Sequence, residues 1–242
     1  DYMLYYECKQ PIFPYTVEYT TQYKFKNGVI SYSSFSPYPG FDVSVEKADY
    51  RLEIPESIKL RSKSTGGFDV QKSEGVGRVV YSISAQNLNA ISSEPNCPPS
   101  RDVFPRVYLA PSDFCLDGVC GNMSNWKNYG LWQNKLLEER DRLPIEAVSK
   151  IQELTANAKT DREKVEILYD YLQNNSRYLS IQLGIGGLQP IAASSVYKNR
   201  FGDCKGLSNL MKAMLKSIGI NANYSKISMR EHTFLFDDFA NA

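Results

Sequence analysis

Near Cys120 the hydrophobic period of this sequence changes, and the change limits the folds that the chain can adopt. Upstream, from residue 15 to about residue 110, apolar and polar residues alternate, as in Tyr50, Leu52 and Ile54, and such alternation is typical of half-buried strands. Downstream, apolar residues recur every three or four positions, as they do in helices. The sequence therefore predicts an α+β protein whose strands come first.

Turn residues divide the first half of the chain into short strands. Asn27-Gly28 is a hairpin signal, and Gly66-Gly67 marks another turn. We predict roughly seven to nine strands in an antiparallel β-sandwich. The sandwich is expected over residues 1–112, a connector with a helix over residues 113–143 and an α+β core over residues 144–242.

An aromatic stripe lies on the helix that is predicted for the connector. Trp126, Tyr129 and Trp132 follow one another at three-residue intervals, and Ser124 is placed to cap the helix. We expect this stripe to pack between domains rather than to form a cage for a ligand.

Two further helices are indicated by their first turns. Pro144 suits the start of a helix that runs to Leu154. The run Thr160-Asp161-Arg162-Glu163 is a capping box for the next helix. The buried face of that helix is predicted to consist of Val165, Leu168, Tyr169 and Leu172.

Cys204 lies in the first turn of a predicted amphipathic helix, within R-F-G-D-C-K-G-L-S-N-L-M-K-A-M-L-K-S-I-G. The buried stripe of this helix comprises Leu207, Leu210, Met211, Met214, Leu215 and Ile218. Asp203 is a suitable N-cap and Gly219 a stop signal. Unpaired N–H groups and the helix dipole favour a thiolate at such a position, so Cys204 is the candidate nucleophile. The alternative is an ordinary buried cysteine.

The residues around Cys204 resemble the core of the transglutaminase-like superfamily, the papain-fold cysteine enzymes. Bacterial members carry G-D-C-K at the start of the central helix, and residues 202–205 match it, preceded by R-Y-L-S-I-Q-L-G and L-Q-P. Gly206 departs from the pattern, because many relatives have Asp there. Residues 94–107 resemble the end of the β-rich domain that commonly precedes this core in bacterial envelope proteins.

The resemblance implies a histidine base on the strand after the Cys204 helix, oriented by Asp or Asn. The only histidine, His232, follows a strand predicted over Ala222–Ser228 and is expected to be a loop residue. We therefore expect the histidine and its partner beyond Ala242, which would make the core incomplete at its C-terminus. The Cys204 N–H and a side-chain amide would stabilise the oxyanion. Gln189 is the preferred donor, ahead of Gln182.

Four cysteines remain besides Cys204. Cys115 and Cys120 enclose a Gly-containing turn and can form a disulfide, which leaves Cys8 and Cys97 as the residual pair. Either bond would indicate an oxidising compartment, and the alternative is four reduced cysteines in the cytosol. The resemblance favours export to the periplasm or the cell exterior, with any signal peptide absent from this chain.

Composition and motifs argue against several classes of function. The net charge is +1 and no basic patch occurs, which argues against nucleic-acid binding. No run approaches the ~20 apolar residues of a membrane span, and no metal-binding motif or cofactor site is recognisable. The oligomeric state is not predicted.

The resemblance implies acyl transfer at an amide through a Cys204 thioester. We expect hydrolysis of a polypeptide or cell-wall peptide rather than transamidation, without a cofactor. The alternative is an inactive envelope scaffold that binds a partner through the β-sandwich. The two hypotheses differ in whether the Cys204 thiol is reachable and activated.

Overall fold

The structure, a computed structural model, describes residues 12, 14–18, 20, 28–227 and 236–241. The strands in this part of the chain are β1 (Gly28–Val29), β2 (Val45–Pro55), β3 (Leu60–Ser64), β4 (Gln71–Gly75), β5 (Arg78–Leu88), β6 (Val107–Pro111), β7 (Asp113–Leu116), β8 (Val119–Asn122), β9 (Arg177–Tyr178) and β10 (Phe201–Gly202). The α-helices are α1 (Ser100–Val103), α2 (Trp126–Leu137), α3 (Ile145–Thr155), α4 (Asp161–Asn175), α5 (Ala193–Asn199) and α6 (Cys204–Ser217). The predicted α+β class is confirmed.

Two antiparallel sheets pack against each other in the first half of the chain. One has the order β2-β5-β4, and the other pairs β3 with β6. The alternating residues of β2 and β5 face inward, so Tyr50 and Ile83, which are register partners, both contribute to the shared core. Val107 and Leu109 of β6 close that core from the other sheet. The β-rich part is thus built in two layers, as its period-2 pattern predicted.

The β3–β6 sheet has a second face, which is covered by α2. The predicted connector contains this helix and also a hairpin, because β7 and β8 pair with each other and β7 pairs with β1. The aromatic stripe lies in the core between them, with Tyr129 and Trp132 buried, which confirms its packing role. The predicted cap was wrong by one residue: Asn125 accepts the N–H of Asn128 at 2.9 Å, while the Ser124 N–H donates to Asn122.

The helical half packs around α6. Ile151, Leu168, Val196 and Met214 are fully buried in its core. The capping box of α4 is confirmed, because Thr160 accepts the N–H of Glu163 and the Glu163 carboxylate accepts the Thr160 N–H.

Two predictions in this half were wrong. Tyr169 is 52% exposed, because α4 turns its Leu168 row toward the core and Tyr169 lies about 100° further round the helix. Residues 222–227 form no strand, since within the described part of the chain no neighbouring strand pairs with them.

Candidate active site

Cys204 is the first residue of α6 and is exposed to solvent. Asp203 caps the helix, because its carboxylate accepts the Gly206 N–H at 2.9 Å and its backbone oxygen accepts the Leu207 N–H at 2.9 Å. The N–H groups of Cys204 and Lys205 have no partner within the helix. They are therefore placed to stabilise negative charge beside the sulfur.

The position of Cys204 is set by the short strand that precedes it. β10 pairs in parallel with β9, and the Leu179 N–H donates to the Gly202 oxygen at 3.0 Å. Arg200 ends α5 in the left-handed conformation, with φ 60°, and turns the chain into β10. The turn into α6 is thus held by backbone hydrogen bonds on the upstream side.

Gly206, where many relatives have Asp, packs directly against α5. A Cβ atom at this position would lie 3.3 Å from Cγ2 of Val196, which is completely buried. The glycine therefore allows α5 and α6 to approach each other closely at the first turn of α6.

The two residues that flank Cys204 form an ion pair. The Lys205 ammonium donates to the Asp203 carboxylate, and the exposed fractions of these two side chains are 12% and 3%. Lys205 is therefore not a solvated surface residue. Its positive charge balances Asp203, so that a thiolate at Cys204 would not face an uncompensated carboxylate.

Tyr224 lies close enough to Cys204 to interact with it electrostatically. Burial raises the pKa of Tyr224 to about 12, and negative charge on Cys204 and Asp203 adds to the effect. The phenol is consequently protonated at neutral pH and can donate a hydrogen bond. Sequence reasoning missed this residue, because it follows the chain reversal at Gly219 and belongs to no local motif.

A groove with a volume of about 720 Å³ begins at Cys204 and follows α6. Its α6 side extends from Cys204 to Leu215, a distance of about 16 Å at 1.5 Å per residue. The groove is lined by Tyr169, Leu172, Gln173, Ser176, Tyr178, Cys204, Leu207, Ser208, Met211, Lys212, Leu215, Ala222 and Asn223. The exposed Tyr169 is thus a wall of the groove rather than part of the core.

The predicted oxyanion donor Gln189 is bound to Arg140 in the structure. Its side-chain oxygen accepts a hydrogen bond from Arg140 at 2.9 Å, and Gln189 does not line the groove of Cys204. Gln182 is exposed. The loop between them is anchored by Asp117, whose carboxylate accepts the Ile185 N–H. The role of either glutamine side chain as an oxyanion donor stays a prediction.

The remaining predicted residues lie away from Cys204 or outside the described part. Cys115 and Cys120 are disulfide-bonded across the β7–β8 hairpin, with Cα atoms 4.0 Å apart. His232 and Cys8 lie outside the described residues, and Cys97, the predicted partner of Cys8, is a free cysteine in the structure. No cluster of three or more His, Cys, Asp or Glu side chains that could hold a metal occurs among the residues described. No described helix is long and apolar enough to cross a bilayer.

Two protein-family models match parts of this chain. Residues 149–233 match the model of the transglutaminase-like superfamily. Residues 4–92 match the model of DUF3857, a domain of unknown function with a solved structure. No curated protein matches the chain.

Two solved structures are similar to this chain. The crystal structure of "a putative protease" from Parabacteroides distasonis ATCC 8503 is 18% identical with a TM-score of 0.56, and the match covers 80% of this chain and 35% of that one. The crystal structure of "a putative cysteine protease" from Cytophaga hutchinsonii is 13% identical with a TM-score of 0.29, over 71% and 58% of the two chains. The chain thus spans about a third of the Parabacteroides protein, which shares its fold.

Proposed function

Because this chain carries a transglutaminase-like core behind a DUF3857 domain, we propose that it is a cysteine acyl-transfer enzyme that hydrolyses peptide bonds through Cys204. One observation carries the proposal: the Cys204 thiol is exposed at the capped N-terminus of α6, at the start of a groove. This combination of exposure and helix-end electrostatics is typical of reactive cysteines.

The proposed reaction has two stages. The Cys204 thiolate attacks the carbonyl carbon of an amide, and the resulting oxyanion accepts a hydrogen bond from the Cys204 N–H. The C–N bond then breaks, the amine leaves with a proton from the base, and a thioester remains on Cys204. Water gives a proton to the same base and attacks the thioester. The C–S bond then breaks, the carboxylic acid leaves, and the base returns its proton to the Cys204 sulfur.

The base in this proposal is a histidine that follows Ala242, held by an Asp or Asn. Tyr224 adds a protonated hydroxyl beside the sulfur, and the Asp203–Lys205 pair keeps the local charge balanced. We assign the substrate to the class of polypeptides or cell-wall peptides. The disulfide between Cys115 and Cys120 supports a site of action in the periplasm or outside the cell.

The reactivity of Cys204 tests the proposal. In the full-length protein, the rate of alkylation by iodoacetamide is measured against pH by peptide mass spectrometry, with Cys97 as the internal reference. We expect Cys204 to label with a midpoint well below the ~8.5 of an ordinary thiol. We also expect Cys204→Ser to abolish peptide hydrolysis without a change in thermal stability. Slow labelling of Cys204, like that of a free thiol, would instead favour a scaffold that binds through its β-rich domain.

A further inference from the structure

Apart from Cys204, Lys212 is the one residue with a charged side chain at neutral pH among the described residues that line the Cys204 groove. Most of the other wall residues are apolar or aromatic: Tyr169, Leu172, Tyr178, Leu207, Met211, Leu215 and Ala222. The groove volume of about 720 Å³ lies within the ~300–1,000 Å³ that is typical of ligand sites. The groove therefore suits a ligand that is apolar along most of its length and carries one negative group.

Lys212 lines the groove and also faces Asp141. Its Nζ lies 3.8 Å from Oδ2 of Asp141, which is beyond the ~3.2 Å limit of a good N–H···O hydrogen bond. Lys216 Nζ donates to the same oxygen at 2.8 Å. The hydrogen bond from Lys216 is the largest cause that lowers the pKa of Asp141. One carboxylate thus faces two ammonium groups, and Lys212 is the less neutralised of the two.

The surroundings of Lys212 strengthen the effect of its charge. The Lys212 side chain is 27% exposed, whereas that of Lys216 is 66% exposed and does not line the groove. A partly buried cation is screened less by water and salt than an exposed one. An anionic group of a ligand in the groove would therefore be attracted to Lys212 rather than to Lys216.

Helix geometry sets the distance between Lys212 and the nucleophile. Lys212 follows Cys204 by eight positions on α6, which corresponds to about 12 Å along the helix axis. An extended peptide advances about 3.3 Å per residue. A peptide with an amide carbonyl at Cys204 would therefore bring its third or fourth residue beside Lys212, while the residues between would lie along Leu207 and Met211.

We propose that Lys212 is a specificity-determining residue of the Cys204 groove, which selects extended peptides with apolar residues beside the scissile amide and a carboxylate three or four residues away. The inference rests on the proposed function and narrows its substrate class. The apolar walls would bind the residues nearest the amide, and the Lys212 ammonium would bind the carboxylate through a charge-assisted hydrogen bond. A small isolated amide would make neither contact.

The test uses the full-length protein and peptides of leucine and alanine with both termini blocked, so that one Asp side chain is the only carboxylate. The Asp is moved along the peptide one position at a time, and each peptide has a counterpart with Asn at the same position. Mass spectrometry locates the cleaved bond. We expect kcat/KM to be about tenfold higher for Asp than for Asn when this residue is the third or fourth from the cleaved bond on one side.

Binding provides a second readout that does not require turnover. The same peptide pairs are titrated into the Cys204→Ser variant by isothermal titration calorimetry. Peptides with Asp should bind about tenfold more tightly than those with Asn. Addition of the Lys212→Met substitution should remove this difference.

Matched variants of the active protein separate recognition from stability. Lys212→Met keeps the apolar stem and loses the charge, so the preference for Asp should disappear. Lys212→Arg keeps the charge and should retain the preference. Lys150→Met breaks an ion pair with Glu153, 3.1 Å long and outside the groove, and should leave the preference unchanged. Circular dichroism establishes that each variant is folded, and Lys212→Gln replaces Lys212→Met if the latter is not.

The outcomes distinguish this inference from the function on which it rests. Hydrolysis without a preference for Asp, or with one that persists in folded Lys212→Met, would overturn the role of Lys212 alone. Lys212-dependent binding without hydrolysis would overturn the proposed function and retain the preference of the groove. Absence of both would overturn the role of Lys212, and the pH midpoint of Cys204 alkylation then decides the proposed function separately. A preference that is lost in Lys212→Met but kept in Lys212→Arg and Lys150→Met would support the inference.

Discussion

Lys63 and Asp238, 175 residues apart in sequence, form a bidentate ion pair with 2.6 Å between Nζ and each carboxylate oxygen. The pair joins β3 to the turn formed by residues 236–241. Because the exposed fractions of the two side chains are 27% and 72%, the pair is accessible to salt and to protons. The contribution of the ion pair to stability can therefore be measured by changing the salt concentration or the pH.

We expect the stabilising effect of this pair to vanish in acid. The hydrogen bond from Lys63 lowers the pKa of Asp238. A carboxylate with a lowered native pKa stabilises the fold above its unfolded pKa near ~3.9, and the effect is lost as the pH falls through the native value. The melting temperatures of the unaltered protein and Asp238→Asn should differ at pH 7 and converge near pH 3. A constant difference across this range would contradict the assignment.

Asp203 has two roles that substitutions can separate. The cap of α6 needs its side-chain oxygen as an acceptor, whereas the ion pair with Lys205 needs its negative charge. Asp203→Ala removes the acceptor of the Gly206 N–H, which costs about 0.5–2 kcal/mol, and it also leaves the Lys205 ammonium without its partner. Asp203→Asn retains an acceptor but loses the charge, so it should be the less destabilised of the two. Urea unfolding at neutral pH measures the free energy of unfolding of both variants. Equal destabilisation of the two would show that the cap contributes little.

Tyr224 should make the protein sensitive to alkaline pH. Its pKa is raised by burial to about 12, above the ~10 of an unfolded tyrosine. A group with a raised native pKa gives its full stabilisation below the unfolded value and loses it as the pH rises toward the native one. Tyr224→Phe should therefore lose less stability than the unaltered protein between pH 9 and about 11.5.

Chemical denaturation at a series of pH values measures this difference. Tyr169→Phe is the matched control, because Tyr169 is 52% exposed and lines the groove of Cys204. The free energy of unfolding of Tyr169→Phe should change with pH as that of the unaltered protein does. If Tyr224→Phe also follows the unaltered protein, the phenol of Tyr224 is more accessible than the structure indicates.

Loss of the Cys115–Cys120 disulfide should destabilise the hairpin that carries it. The bond closes a loop with a sequence separation of 5, and the chain-entropy estimate for so short a loop is about 2 kcal/mol. We expect dithiothreitol to lower the free energy of unfolding by about that amount. The variant Cys115→Ser/Cys120→Ser should be equally destabilised and indifferent to the reductant. A response of this variant to dithiothreitol would point to a different bond.

Local patterns were enough to predict the elements around the candidate site. The capping box at Thr160 and the cap at Asp203 each depend on side chains within three residues of the groups that they bind. The apolar stripe of α6 likewise follows from the spacing of residues within that one helix. Such features are decided by propensity, capping and hydrophobic period, which act over one or two helical turns.

Local patterns failed where two positions were nearly equivalent or where a partner strand was required. Ser124 and Asn125 are both good caps, and the turn after β8 selects Asn125. Tyr169 fits the helical period but lines the groove. Residues 222–227 alternate as a strand would, yet within the described ranges they have no neighbour to pair with.

The sequence by itself determined the α+β class, the order of strands before helices and the placement of Cys204 at a helix start, because each is written in neighbouring residues. Only the tertiary structure decided that Tyr224 interacts with Cys204, that Gln189 accepts a hydrogen bond from Arg140, and that Lys63 pairs with Asp238. These contacts join residues that are far apart in the chain. Their formation depends on how whole elements pack, and no local period or spacing encodes that packing.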